Sequence, residues 1–294
     1  MNKLPVQSRT VVVTGCSSGI GKATALLLRE QGWQVIPTAR KAEDLQKLTD
    51  LRFHPVKLDL ADGESIRSAA AHILQQTGNT LGALVNNAGY CQAGALEDLS
   101  ADVLRQQFEA NVFGSNELTR LLLPVFRRQN WGRIVNISSV FGRISSPMVG
   151  AYCASKYAVE SLSDTWRIEL WRTGIGLSIV EPGAIITEFR RNAAHMLEQT
   201  ASRETSRFNA VYAKEIERRK RQKKKRDFFT RPPEEVAIKV LHALESRRPR
   251  RRYPVTPCAY LVDAVVRFVP QAWTDRLLAR RLPRPESSPK EAAR

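Results

Sequence analysis

Cysteine is scarce in this chain: four residues, Cys16, Cys91, Cys153 and Cys258, lie scattered over 294 positions. Their spacing fits no metal site, so the expected state is reduced thiols in a cytosolic protein with no bound metal. Long apolar runs are missing too. No stretch reaches the roughly 18 consecutive apolar residues that cross a bilayer. The opening Met1-Asn2-Lys3-Leu4-Pro5 has no long apolar run before the first strand pattern, so no secretory leader is expected. No internal repeat is present. These absences argue against a membrane-spanning protein, a cysteine-held metal centre and a repeat scaffold.

What the chain has is enough apolar material for a full core: 43% hydrophobic and 26% charged residues, a globular balance. Its net charge of +17 is unevenly placed. Residues 1–200 carry 21 Lys+Arg and 18 Asp+Glu, a net of +3, whereas residues 201–294 carry 25 and 11, a net of +14. Such asymmetry points to an anionic surface near the tail or to simple solvation.

Short β-branched runs alternate with helical patterns. Thr10–Thr14, Trp33–Thr38, Phe53–Leu58, Leu81–Asn86, Gly132–Ser138, Gly176–Glu181 and, late in the chain, Arg251–Thr256 read as strands. Ile20–Gln31, Glu64–Gln76, Ala101–Gln129, Ala154–Thr173 and Glu234–Ser246 read as helices, and Tyr260–Leu282 as an amphipathic stretch interrupted by Pro270. This alternation predicts an α/β fold: one doubly wound parallel sheet of about seven strands with helices on both faces. Ligands of such sheets sit beyond the carboxyl ends of the strands. Residues 187–231 break the regularity with a polar, helix-prone segment that holds the basic run Arg218–Arg226.

Four signals fall at strand ends or on facing helices. The first is Thr14-Gly15-Cys16-Ser17-Ser18-Gly19-Ile20-Gly21, directly after Val11-Val12-Val13. Glycines there permit a tight turn, let backbone N–H groups approach a pyrophosphate, and start a helix whose positive end faces it. The second is Asn86-Asn87-Ala88-Gly89, where small residues leave room for a flat ring and amides bond a ribose or brace a strand. The third is Tyr152-Cys153-Ala154-Ser155-Lys156, whose i, i+4 spacing puts phenol and ammonium on one helix face. A cation within about 4–6 Å lowers a phenol's pKa by roughly 1–3 units from about 10, toward the range of acid–base catalysis. The fourth is Ser138-Ser139, with Asn111 an unusual amide inside a helical pattern. Each alone has an ordinary reading: a tight connection, an Asn/Gly turn, a solvated helix face, a locally bonded amide.

Taken together and in this order, the signals resemble the short-chain dehydrogenase/reductase family over about residues 8 to 190. The resemblance implies a Rossmann-type fold and a nicotinamide cofactor. By position it implies catalytic roles for Asn111, Ser139, Tyr152 and Lys156, with Tyr152 as acid/base, Lys156 lowering its pKa and holding the ribose, and Asn111 holding a relay water. It implies cofactor contacts from Gly15, Ser17, Ser18, Gly19, Ile20, Gly21, Asn87, Ala88 and Gly89. Asp59 and Leu60 fall at the adenine, and Pro182, Gly183, Ile185 and Thr187 at the nicotinamide carboxamide, with Tyr152 and Lys156 touching the cofactor as well. At the end of the second strand, where NAD enzymes of the family carry an acid, this chain has Ala39 followed by Arg40. A guanidinium grips a 2′-phosphate that a carboxylate would repel, so NADP(H) is expected over NAD(H).

On the substrate side, Tyr90, Phe141, residues 145–149 and the segment after Thr187 are expected to line a pocket that Ile144, Pro147, Met148, Val149 and Phe189 make apolar. The Ala184–Phe189 and Arg252–Thr256 segments resemble the branch with 17β-hydroxysteroid and retinol dehydrogenases and related bacterial aldehyde reductases. That implies a small lipophilic aldehyde, ketone or secondary alcohol, and a homodimer or homotetramer. The expected layout is a catalytic domain over residues 1–256 with a lid at about 187–231, then a basic amphipathic extension over 257–294. The expected location is cytoplasmic. A second reading stays open, a dinucleotide-fold protein acting mainly at a membrane surface or on nucleic acid. The basic run has no interleaved aromatics for base stacking, so nucleic acid is not expected, while the tail suits an anionic bilayer.

Overall fold

Val11, Val12 and Val13 are each fully buried, yet they face two different cores. Val11 and Val13 pack with Leu28, Val236 and Val240 on one side, and Val12 packs with Leu84, Leu118 and Phe126 on the other. Alternate residues of a strand point to opposite faces, so a strand buried on both sides must be apolar throughout. The computed structural model describes residues 8–200, 206–220, 229–280 and 282. Positions 221–226 of the basic run, and the tail from 283 onward, lie outside the described residues.

The central strands are β1 (Thr10–Val13), β2 (Gln34–Ala39), β3 (Val56–Lys57), β4 (Ala83–Asn86), β5 (Gly132–Ile137), β6 (Ile175–Glu181) and β9 (Arg252–Pro254). They form one parallel sheet in the order β3-β2-β1-β4-β5-β6-β9. Helices α1 (Gly19–Glu30) and α9 (Pro233–Glu245) cover one face; α3 (Gly63–Gln76), α5 (Gly114–Gln129) and α6 (Gly150–Glu169) cover the other. The strand order reverses between β1 and β4, so the carboxyl ends of these two strands flank the crevice that this topology uses for ligands.

Several elements differ from expectation. The third strand shrinks from Phe53–Leu58 to two residues, and the last from Arg251–Thr256 to three, because both are edge strands with one partner each. A helix α2 (Ala42–Asp50) follows β2 without having been expected. The span Ala101–Gln129 is not one helix: α4 (Ala101–Phe108) passes through a π-helical turn, Glu109–Phe113, into α5. Helix α6 begins at Gly150 rather than Ala154, which puts Tyr152 in its first turn.

After β6 the chain forms α7 (Phe189–Thr200) and α8 (Asn209–Lys220). A short parallel pair, β7 (Ala184–Ile185) with β8 (Thr230–Arg231), ties the base of this excursion. Helix α8 docks through Tyr212 and Ile216, which pack with Ala93, Ala95 and Met148; the Tyr212 hydroxyl accepts from the Ala95 amide at 3.0 Å and donates to Asp98. The C-terminal stretch folds as α10 (Pro257–Phe268) and α11 (Gln271–Ala279), broken at Pro270 as its missing N–H requires. The Arg143–Asp263 ion pair at 3.0 Å holds α10 against the sheet end.

Candidate active site

The turn after β1 is as small as its contacts demand. Gly15 has φ +72°, and a Cβ there would lie 2.8 Å from the Ala88 Cα. At Gly21 a Cβ would lie 2.2 Å from the Gly15 carbonyl oxygen. Asn87 clamps this arrangement: its Nδ2 donates to the Thr14 carbonyl at 2.8 Å and the Gly15 carbonyl at 3.1 Å. The Asn87 and Ala88 amides both donate to the Thr14 hydroxyl at 2.9 Å. Of the two roles that the sequence left open for these amides, the structure uses the bracing one at Asn87. Ser18 caps α1 in extended backbone without a side-chain hydrogen bond, and the first turn carries no acid. The N–H groups of that turn therefore remain open toward an anion, with the helix dipole aligned on it. This cradle fits a dinucleotide pyrophosphate.

Ser139, at the end of β5, and Tyr152 and Lys156, on one face of α6, meet across a cavity of about 1060 Å³. The Ser139 hydroxyl hydrogen-bonds the Tyr152 phenol and accepts from the Phe141 amide at 3.2 Å. The Lys156 Nζ lies 5.8 Å from the centre of the Tyr152 ring and donates to the Ile137 carbonyl at 2.7 Å. Burial pushes the Tyr152 phenol well above its usual range, with the Ser139 bond pulling the other way. Burial also holds the Lys156 ammonium down to about 8, against the opposing Glu160 carboxylate. Burial is the largest influence on both groups.

Asn111 sits in the π-helical turn, which explains an amide in mid-helix: the bulge turns it inward, and it is buried. Its Oδ1 accepts from the Tyr90 amide at 3.0 Å, and its Nδ2 donates to the Tyr90 carbonyl at 3.0 Å and to the Ser155 hydroxyl at 3.2 Å. The structure thus puts Asn111 one layer behind the cavity wall, beside Gly89 and next to the residue preceding Lys156.

Most of the other predicted residues line the same cavity: Gly15, Ser17 to Gly21, Asn87 to Gly89, Pro182, Gly183, Ile185 and Thr187. Arg40, Asp59 and Leu60 do not. Leu60 is buried, and its carbonyl packs against Gly114. Arg40 and Asp59 stand outside with an ion-pair distance of 3.9 Å and side chains 66% and 32% exposed, a pair too solvated to hold either rigidly. On the substrate side, Phe141 packs edge-on to Tyr152 at 6.3 Å and Phe189 at 5.5 Å, with Pro147, Met148 and Val149 beside them. Tyr90, Ile144 and Ser145 do not reach the wall, because Tyr90 is held by the Asn111 brace and Ile144 and Ser145 follow the turn at Val140–Gly142 outward. Cys91, which also lines it, was missed by sequence reasoning; Val211, Lys214, Glu215, Arg218 and Arg219 line it from the segment after Thr187, which was expected at the pocket without its residues being singled out.

Comparison with known proteins agrees with this geometry. The family model described as short chain dehydrogenase matches residues 9–198. The chain is 40% identical to an uncharacterized oxidoreductase, YbbO, of Escherichia coli, covering 93% of this chain and 95% of that protein. It is 32% identical to an NADPH-dependent 3-dehydrocapnine reductase of Ornithobacterium rhinotracheale (93% and 97% covered) and 33% identical to mouse retinol dehydrogenase 5 (97% and 92%). Among solved structures it is similar to a short-chain dehydrogenase of Streptomyces avermitilis, at TM-score 0.73, 31% identity and 94% and 99% coverage. It is also similar to a short-chain dehydrogenase/reductase of Burkholderia phymatum in complex with NAD, at TM-score 0.75, 25% identity and 96% and 98% coverage. The chain is an oxidoreductase and belongs to the short-chain dehydrogenase/reductase family.

Proposed function

We propose that this enzyme transfers hydride between NADP(H) and a lipophilic aldehyde, ketone or secondary alcohol, with Tyr152 as the acid/base. The observation that carries the reading is the convergence of Ser139, Tyr152 and Lys156 on the cavity that the open N-terminus of α1 also faces. A nicotinamide cofactor, once bound, supplies or accepts the hydride. The glycine turn, Asn87 to Gly89, Lys156 and the Pro182–Thr187 segment would hold it. In the reducing direction Ser139 donates a hydrogen bond to the substrate carbonyl oxygen, and Tyr152 gives that oxygen its proton. The phenolate left behind is stabilised by the Lys156 ammonium, and Asn111 positions the α6 backbone through Ser155. The relatives named for a retinol dehydrogenase and an NADPH-dependent reductase support the substrate and cofactor classes. Following NADPH absorbance against a panel of aldehydes, ketosteroids and retinoids tests the reading; no turnover of any member overturns it.

The cofactor preference rests on Ala39 and Arg40. Both stand at the end of β2, and Arg40 is exposed and weakly paired, free to meet a 2′-phosphate. A charge-assisted, bidentate contact is worth about 1.5–3 kcal/mol, or roughly 10- to 150-fold in affinity. Wild type is expected to prefer NADPH over NADH at least about tenfold in kcat/KM, and the Ala39→Asp, Arg40→Ala double variant to lose or invert that preference. A wild-type ratio near one would make Arg40 a solvated loop residue.

A second observation favours contact with an anionic membrane surface. Leu261, Phe268, Trp273 and Leu277 on α10 and α11 are 56%, 78%, 69% and 62% exposed, beside Arg267, Arg276 and Arg280. Among the described residues no helix is long and apolar enough to cross a membrane. Each basic residue adds about 1 kcal/mol near such a surface and is screened by salt. Sedimentation with phosphatidylserine vesicles is expected at low salt and lost at high salt; absence of binding at low salt refutes it. The exposed Phe113, Ile168 and Trp171 on the α5–α6 side support a homodimer or homotetramer.

A further inference from the structure

The cavity wall is not uniformly apolar. Besides Lys156, it carries Arg190 on α7 and Lys214, Arg218 and Arg219 on α8, against a single acid among the described lining residues, Glu215. Glu215 is already shared: Arg218 grips it with two hydrogen bonds at 2.8 and 2.6 Å, and the Arg219 Nε donates to it at 2.7 Å. Among the described residues, one carboxylate therefore answers two guanidiniums and leaves Lys214 over.

Arg219 is the deepest of the α8 cations, its side chain 11% exposed where that of Arg218 is 65% exposed. Its guanidinium also reaches the Cys91 thiol. Cys91 is buried and packs in one cluster with Val149, Tyr152 and Cys153. A single side chain thus separates a nearly buried guanidinium from the catalytic phenol. A guanidinium withdrawn from water with only part of its donor fork bonded to a carboxylate is costly unless an anion completes it. Phe141, Met148, Val149 and Phe189 line the same cavity, an apolar surface that binds no charge.

Resting on the carbonyl-reductase reading above, we infer that the substrate is an amphiphile whose carbonyl faces Tyr152 and Ser139 and which carries an anionic group, received by Arg219 with Lys214 and Arg218 at the rim. The fork geometry of Arg219 suits a carboxylate or a similar oxyanion. A wholly uncharged lipid would leave Glu215 shared between two guanidiniums and Lys214 over.

The test compares a medium-chain 5-oxo fatty acid with its methyl ester, both with NADPH, by kcat/KM and by calorimetric affinity for the enzyme–NADP complex. Wild type is expected to favour the acid by about tenfold to a hundredfold, the range of one charge-assisted contact. Arg219→Met is expected to remove most of that preference while changing the ester less than threefold, and Arg219→Lys to restore part of it. Because Arg219→Met can loosen α8, Lys214→Ala, on the exposed face, is measured beside it and is expected to weaken the acid alone. Equal kcat/KM or equal affinity for acid and ester in wild type overturns the anionic subsite. So does an equal loss for both compounds in Arg219→Met and Lys214→Ala. Turnover of neither compound, with tight binding of the acid alone, instead overturns the reductase reading and leaves the anion site supported.

Discussion

Tyr152→Phe is expected to lower kcat by about 10²- to 10⁴-fold, the usual contribution of a positioned acid–base group, while NADPH affinity changes less than threefold. The phenyl ring keeps the packing against Phe141 and Phe189 and removes only the hydroxyl that Ser139 bonds. Single-turnover rates and cofactor titration separate the two effects. A pH profile adds a second readout. Burial keeps the phenol protonated far above neutrality, so the proton donor is present throughout, whereas Lys156 loses its charge near 8. Reduction in wild type should therefore decline above about pH 8, as the phenolate formed in the reaction loses its cation. Residual kcat above a tenth of wild type in Tyr152→Phe would remove Tyr152 from the acid–base role.

Arg252→Met is expected to destabilise the fold by about 3–5 kcal/mol, the cost of leaving a buried carboxylate without its partner, or roughly 5–8 °C in Tm for a chain of this length. Arg252 joins three acids. It pairs with Glu160, with Glu181 at 2.9 Å and with Asp164 at 2.7 Å. Glu160 and Glu181 are 7% and 9% exposed, so without the guanidinium two carboxylates would repel in a dry site. Of the other cations nearby, Arg143 lies 3.9 Å from Glu181 and is engaged by Asp263, Arg167 pairs with Asp164 at 2.7 Å, and Lys156 faces Glu160 while donating to the Ile137 carbonyl. The loss has a defined pH dependence. Burial already raises the Glu160 carboxyl above its usual range, with Arg252 opposing. The folded state then binds a proton more readily than the unfolded chain, so this group costs stability as pH rises through its raised value. Removing Arg252 raises it further, and the deficit should be smaller at pH 5 than at pH 8. Adding Glu160→Gln to Arg252→Met should recover part of the loss. Denaturant unfolding measures both; a deficit under 1 kcal/mol, or one independent of pH, would mean that the cluster is solvated.

The same cluster bears on activity. Glu160 lies one helical turn beyond Lys156 and holds its ammonium charged against desolvation. Arg252 in turn holds Glu160. The last strand of the sheet is thereby connected to the proton chemistry at the start of α6.

The fold class and most of the site were legible because they depend on local chain geometry. Val11-Val12-Val13 can be apolar throughout only in a strand buried on both faces. Gly15 and Gly21 are readable because no larger residue fits that turn. Tyr152 and Lys156 meet because i and i+4 share a helix face. What escaped is what depends on which distant elements meet. The π-helical turn at Asn111 comes from fitting α4 and α5 around Tyr90 and Ser155, and no local propensity marks it. The short third and last strands are set by having one neighbour each. The direction in which Tyr152 and Lys156 are shifted depends on burial beside the cavity, which their spacing alone does not show. The start of the run at Arg218 reads as a solvated helix face; packing through Tyr212 and Ile216 instead turns Arg219 toward Cys91. Spacing along the chain determined which groups share a face, and only tertiary packing decided which of them lost their water, because burial is summed over every element that closes on a side chain.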